Sequence, residues 1–204
     1  QFPIQLDILD FIFKGLLIGI IASAPMGPVG ILCIQRTLNK GRWYGFITGI
    51  GAAVSDTLYA LVVALGMGFI VSFLKNPTYQ LVLQISGSVI LLLFGIYCFK
   101  SNPMKKMHKS GNTKGTIFQN GLTAFLVTFS NPLIIFLFIA LFAQLTFTVP
   151  QNPFGACWGY MSIFGGAMLW WGGLTYLITR MKNSFGYRGM IVLNRTIGVI
   201  VLTV

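Results

Sequence analysis

The sequence predicts an all-α, polytopic membrane protein. Six transmembrane helices form two inverted three-helix repeats, with broken helices in spans one and four. Three observations lead there. Of the 204 residues, 55% are hydrophobic and 8% charged, and mean hydropathy is +0.81; soluble domains carry about 25% charged residues. The basic residues gather in alternate loops between long apolar runs. Proline-containing helix breaks recur at corresponding places in the two halves. The chain reads as one transmembrane domain, 1–204: repeat one about 11–99, a basic loop 100–114, and repeat two 115–204.

Span one is read as Phe11–Gln35, uncharged from Gly15 to Gln35 and long enough to cross a bilayer as a helix. In its middle lies Ala22-Ser-Ala-Pro25-Met26-Gly27-Pro28-Val-Gly30. Each proline removes a backbone donor and clashes with the preceding turn. The freed backbone groups persist at membrane depth only in protein or beside a wet cavity. Secondary transporters build substrate sites on such broken helices; the alternative use is a proline kink for packing alone. A basic loop, Arg36 to Arg42, follows.

Span two runs from Trp43 to Leu74 and carries one charge, Asp56. Span three is Tyr79–Phe99, and the loop Lys100–Lys114 holds five lysines and His108. Residues 115–179 carry no charge and must hold two spans, Ile117–Phe147 and Phe154–Thr179, divided by the breaker cluster Thr148–Pro153. Span four has its own break signal, Ser130-Asn131-Pro132. Span six starts near Gly189 and runs past Asn194 and Arg195.

Loops one, three and five hold the clustered basic residues, loop two only Lys75, and loop four none. The positive-inside rule puts loops one, three and five in the cytoplasm and both termini outside. Topology therefore accounts for the net charge of +11 without nucleic acid; the lysine-rich loop suits retention and anionic-lipid contact. Gln1 is not a methionine and Val204 lies inside an apolar run, so the chain reads as trimmed at both ends. Residues 1–10 lack the basic region of a signal peptide.

The halves echo each other. Gly15-Leu16 to Pro25 resembles Gly121-Leu122 to Pro132 with one residue inserted, Gly51-Ala52 matches Gly166-Ala167, and Gly87 matches Gly198. Three spans per half require opposite membrane orientations, the plan of inverted-repeat transporters. Chance similarity among apolar, glycine-containing segments is the competing explanation.

Asp56 is the sole acid within a span, and the chain has no glutamate. An intramembrane carboxylate is a functional candidate by default. It can exchange a proton as its surroundings alternate between dry and wet, or meet a substrate ammonium; alternatively it bonds a neighbouring helix or pairs with Arg36 or Arg42. Ser55 and Tyr59 flank it, Tyr59 one turn on along the same face. Asn131 donates and accepts hydrogen bonds and can cap the helix restarting at Pro132. Half-helix N-termini offer amides and a positive dipole end to a carboxylate. The repeat aligns Asp56 roughly with Trp171, and Trp170 and Trp171 can stack on a cation or fill helix contacts. The glycines of Gly45 to Gly51 permit close helix packing. The expected substrate-binding set is Pro25, Met26, Gly27, Pro28, Ser55, Asp56, Tyr59, Asn131 and Pro132, with Asp56 also coupling protons.

Cys33, Cys98 and Cys157 form no paired motif and read as free packing thiols. One histidine excludes a histidine metal cluster. No nucleophile–base pair marks a hydrolase, so the expectation is no enzyme, no catalytic residue, no cofactor and no resident metal. Expected partners are a small-molecule substrate and membrane lipid, with a homodimer left open. Rival functions are a cation or metal exporter, for which one carboxylate is a poor divalent site, and a membrane thiol redox carrier, which needs paired cysteines.

Ala22-x-x-Pro25-Met-Gly27-Pro28, Arg36-x-x-x-x-Gly41-Arg42-x-x-Gly45, Gly49-x-Gly51, Ser55-Asp56-x-x-Tyr59-Ala60 and Gly66 resemble the lysine-exporter (LysE-type) family of amino-acid exporters. Asn131-Pro132 with the apolar run to Gln144, Gly166-x-x-x-Trp170-Trp171 and Asn194-Arg195-x-x-Gly198 fit the same family, so the resemblance covers nearly the whole chain. It implies a six-span bacterial inner-membrane protein that exports amino acids or related small solutes, coupled to the proton gradient or membrane potential. Its functional positions would fall on Pro25, Gly27, Pro28, Asp56, Asn131 and Pro132. The chain departs from the pattern at Met26, inserted in the family's Pro-Gly-Pro, and at Leu133, where many members have lysine after Asn-Pro. Both departures bear on the substrate more than on the fold, and some relatives export metal ions.

Overall fold

A computed structural model describes residues 2–25, 27–74, 77–100, 115–150, 152–181 and the isolated positions 192, 195, 196 and 199. Met26, the loop lysines beyond Lys100 and nearly all of the expected span six lie outside the described residues. Within them the chain is helical and has no strand: α1 Phe2–Ser23, α2 Pro28–Lys40, α3 Arg42–Leu74, α4 Pro77–Lys100, α5 Ile117–Phe129, α6 Leu133–Gln144 and α7 Pro153–Arg180. Two of these, over Arg42–Met67 and Pro153–Arg180, are long and apolar enough to cross a membrane, and up to four spans result if each bent pair counts as one. The protein is a multi-pass membrane protein.

Both sequence breaks are real. The axes of Ile8–Ser23 and Pro28–Lys40 differ by 81°, and those of Ile117–Phe129 and Leu133–Gln144 by 74°. A proline kink above about 20° already counts as sharp, so each break separates two half-helices. At the first, Gly27 is extended (φ −83°, ψ −169°) and Pro28 opens α2 at a position where its missing N–H costs nothing. At the second, Asn131 N donates to Thr128 O at 3.1 Å, and Pro132 (φ −67°) restarts the helix. Upstream, Thr116 and Gln119 satisfy the first amides of α5 as a reciprocal capping box.

Three expected boundaries move. α1 already begins at Phe2, nine residues before the expected start at Phe11. Arg36 is not in a loop: α2 continues to Lys40, and the Arg36 side chain is buried. Span four stops being helical at Gln144, because Thr146 takes a left-handed φ of 49° and folds Phe147 back into the core. There Phe147 packs at 5.1 Å from Phe142 and 4.7 Å from Phe11, ring centre to ring centre.

Packing crosses between the halves. α1 lies along α7, α3 along α5, and α3 against α7; α4 packs on α6. Gly51 of α3 sits so close to the Gly121 carbonyl on α5 that a Cβ would overlap it, and Gly166 of α7 sits likewise on the Leu16 carbonyl of α1. The sequence comparison sets Gly51 beside Gly166 and Gly15-Leu16 beside Gly121-Leu122, and the two contacts fall on these segments with an offset of one residue. Such close approach suits membrane helices, whose association rests on packing rather than on exclusion of water. Ile18, Phe138, Leu141, Ile163 and Ile178 fill the interior. Leu61, Val62 and Leu65 on α3 and Leu81, Val82 and Ile85 on α4 point outward, as a lipid-facing surface requires.

Candidate functional site

The two breaks meet at one cavity of about 860 Å³. Pro25, Gly27 and Pro28 contribute from the first break, and Ser130 and Asn131 from the second. α3 adds Asp56 and α7 adds Trp171. The N-termini of α2 and α6 both begin at its wall, at Pro28 and Leu133, so two positive dipole ends border it. Most of the remaining wall is apolar, including Ile90, Leu93, Ile134 and Leu137. Cavities of this size and lining suit small ligands.

Asp56 is 5% exposed, and Ser23 Oγ donates to its Oδ2 at 3.4 Å, a long hydrogen bond. Among the described residues no cation pairs with it. Arg36 instead spends Nη1 on Thr48 Oγ1 (2.9 Å) and the Asn120 carbonyl (2.7 Å), joining α2 to α3 and α5. The Asp56–Arg36 pairing weighed from the sequence is therefore absent. The carboxyl keeps most of its hydrogen-bonding capacity for something in the cavity.

Not all expected site residues line the wall. Tyr59 is buried below it; its hydroxyl donates to the Phe129 carbonyl and its ring lies 5.4 Å from Phe129, bracing the end of α5 before the break. Ser55 is fully buried on α3, its Oγ without a hydrogen-bond partner among the described residues. Pro132 is exposed at the restart of α6, and Asn131 Oδ1 accepts from Leu133 N at 3.2 Å, the capping role expected of it. Met26 lies outside the described residues.

The expected set left out several wall residues that carry polar atoms. Ser23 and Thr128 line the cavity, and Trp171 does so with its ring seated over Gly49, where a Cβ would collide with the indole. Ser23, two residues before Pro25, occupies the place of Ser130 before Pro132, so the repeat held a signal for it. The repeat also aligned Trp171 with Asp56, yet the residue could equally have been packing. Thr128 carried no sequence signal beyond nearness to the break.

Among the described residues no three of His, Cys, Asp and Glu cluster as metal ligands. Cys33 is buried and donates to the Gly45 carbonyl at 3.3 Å, and Cys157 is exposed on α7; neither is paired.

No solved structure matches the chain. A curated relative from Bacillus subtilis (strain 168), "Putative amino acid efflux protein YcgF", is 28% identical over 130 residues, 64% of this chain. The chain spans 61% of that relative's length. The family model of the LysE type translocator matches residues 20–204, which take in both breaks, Asp56 and every described wall of the cavity, and the chain belongs to that family.

Proposed function

We propose that the protein is a secondary transporter that exports amino acids or related small solutes across the bacterial inner membrane, driven by the proton gradient or membrane potential. The observation that carries this reading is the convergence of both helix breaks and the buried acid Asp56 on one cavity. In this reading Asp56 binds a proton or the substrate ammonium, and the two cannot occupy it together. That competition is enough for antiport. Pro25, Gly27, Pro28 and Asn131 add to the binding wall, Ser55 and Tyr59 support it from behind, and Pro132 restarts α6 beside it. The crossed contacts Gly51–Gly121 and Gly166–Leu16 support two inverted repeats that rock against each other around the cavity. The lysine-rich loop 100–114 supports a cytoplasmic placement of that loop and outer placement of both termini. The relative's name supports amino acids as the cargo.

A radiolabelled amino-acid panel tests the reading, measured as efflux from cells that lack their own exporters. Expression of the chain accelerates efflux of at least one amino acid; a panel with no acceleration, at verified membrane expression, overturns it.

A further inference from the structure

Two residues of the cavity wall each hold a buried polar atom with no hydrogen-bond partner among the described residues. Trp171 is 3% exposed and Thr128 6% exposed, and Trp171 Nε1 and Thr128 Oγ1 are buried without a hydrogen-bond partner among the described residues. A buried donor left unmade costs free energy and calls for a reason. For Thr128 the usual solution is at hand and unused. Thr37, Thr48, Thr57, Thr123, Thr175 and Thr179 each donate to the carbonyl four residues back, as helical threonines do. Thr128 alone of this group faces the cavity and makes no such bond. Trp171 is held rigidly over Gly49, so its N–H direction is set by packing and not by a partner.

The remaining wall sorts by charge. Among the described residues Asp56 is its only ionisable side chain, and the described lining otherwise consists of neutral polar groups at the breaks and aliphatic or aromatic surface from Ile90, Leu93, Val127, Ile134, Phe136 and Leu137. Resting on the export reading above, the geometry points to the substrate class: a zwitterionic α-amino acid with an apolar side chain, its ammonium on Asp56 and Ser23 and its carboxylate on the Trp171 N–H and the Thr128 hydroxyl. The repeat-related pair Asp56 and Trp171 thus supplies an acceptor on one side and a donor on the other. A lysine would bring a second ammonium to a wall with no second acid. A glutamate would bring a second carboxylate to a wall with no cation among the described residues, since Arg36 is spent on Thr48 and Asn120 outside the lining. The apolar bowl takes an aliphatic side chain and gains from its burial.

The test is exchange of radiolabelled leucine in proteoliposomes holding the full chain, competed by unlabelled leucine, leucinamide, N-acetyl-leucine, lysine and glutamate. Leucinamide lacks the carboxylate and N-acetyl-leucine the ammonium. Leucine competes at least about tenfold better than any of the other four, the worth of one hydrogen bond to a charged group. Thr128→Val keeps shape and removes its donor, while Trp171→Phe removes the indole N–H together with one ring; in each the leucine-to-leucinamide affinity ratio, which cancels a loss of packing common to both ligands, falls about tenfold. Leucinamide competing as well as leucine in the unaltered protein overturns the inference without any variant. So does lysine or glutamate competing as well as leucine, or a ratio unmoved in both variants. Exchange of lysine or glutamate but not leucine sinks the substrate class and spares the exporter. Absence of exchange for every amino acid sinks both.

Discussion

Replacing Asp56 by asparagine separates its chemistry from its packing. The side chain keeps its size and an acceptor oxygen. The one described bond to it, from Ser23 Oγ at 3.4 Å, is long enough that its loss or weakening costs less than about 1 kcal/mol. No cation partner is left orphaned, because Arg36 bonds elsewhere. An amide in a 5% exposed place also avoids the cost of burying a charge. Asp56→Asn therefore inserts normally, with an unfolding midpoint unchanged or raised. Transport behaves otherwise. A hydrogen bond from a substrate ammonium to a carboxylate is worth about 1.5–3 kcal/mol, so affinity falls roughly 10- to 100-fold. Coupling is lost altogether, since the group no longer changes charge. The assay is efflux from proteoliposomes under an imposed pH gradient, at matched protein amount, beside substrate exchange without a gradient. Gradient-driven efflux disappears while exchange persists at raised substrate concentration, and Asp56→Glu keeps part of both. Undiminished gradient-driven efflux in Asp56→Asn would refute the coupling role and leave Asp56 a structural hydrogen-bond acceptor.

Other substitutions test the packing around the cavity. Gly51→Ala or Gly166→Ala pushes a methyl into a backbone carbonyl of the facing helix and lowers stability by about 1–3 kcal/mol in thermal unfolding. Gly66→Ala, with open space around it, holds or gains up to about 1 kcal/mol; equal behaviour of all three would contradict the described helix contacts. Arg36→Met leaves the Asn120 carbonyl without its donor and costs about 1–3 kcal/mol, whereas a variant as stable as the parent shows that Arg36 does not staple α2 to α5. For topology, Ser110→Cys in a cysteine-free background resists an impermeant thiol reagent applied to intact cells and reacts after permeabilisation; labelling from outside reverses the assigned orientation.

Hydropathy and proline chemistry are local properties, and what rests on them was legible in the sequence. Spans two, three and five end within a few residues of α3, α4 and α7, because charges and breaker clusters mark the places where an apolar helix must stop. The breaks at Pro25–Pro28 and Asn131–Pro132 were equally plain, since a proline forbids the helix hydrogen bond wherever it stands. Asp56 stood out as the one acid at depth. Tertiary structure decided everything that depends on what a side chain meets across helices. How steeply each broken helix bends, 81° and 74°, followed from the different neighbours on which its two halves pack. Arg36 left its expected loop because partners 12 and 84 residues away, Thr48 and Asn120, could satisfy it inside. Trp171 and Thr128 became cavity wall only when α7 and α5 were brought against α3. Periodicity tells which face of a helix is apolar, but in a membrane both lipid and protein accept an apolar face. Which face meets lipid and which meets the cavity is settled by close backbone contacts, such as Gly51 on Gly121, made between residues far apart in the chain.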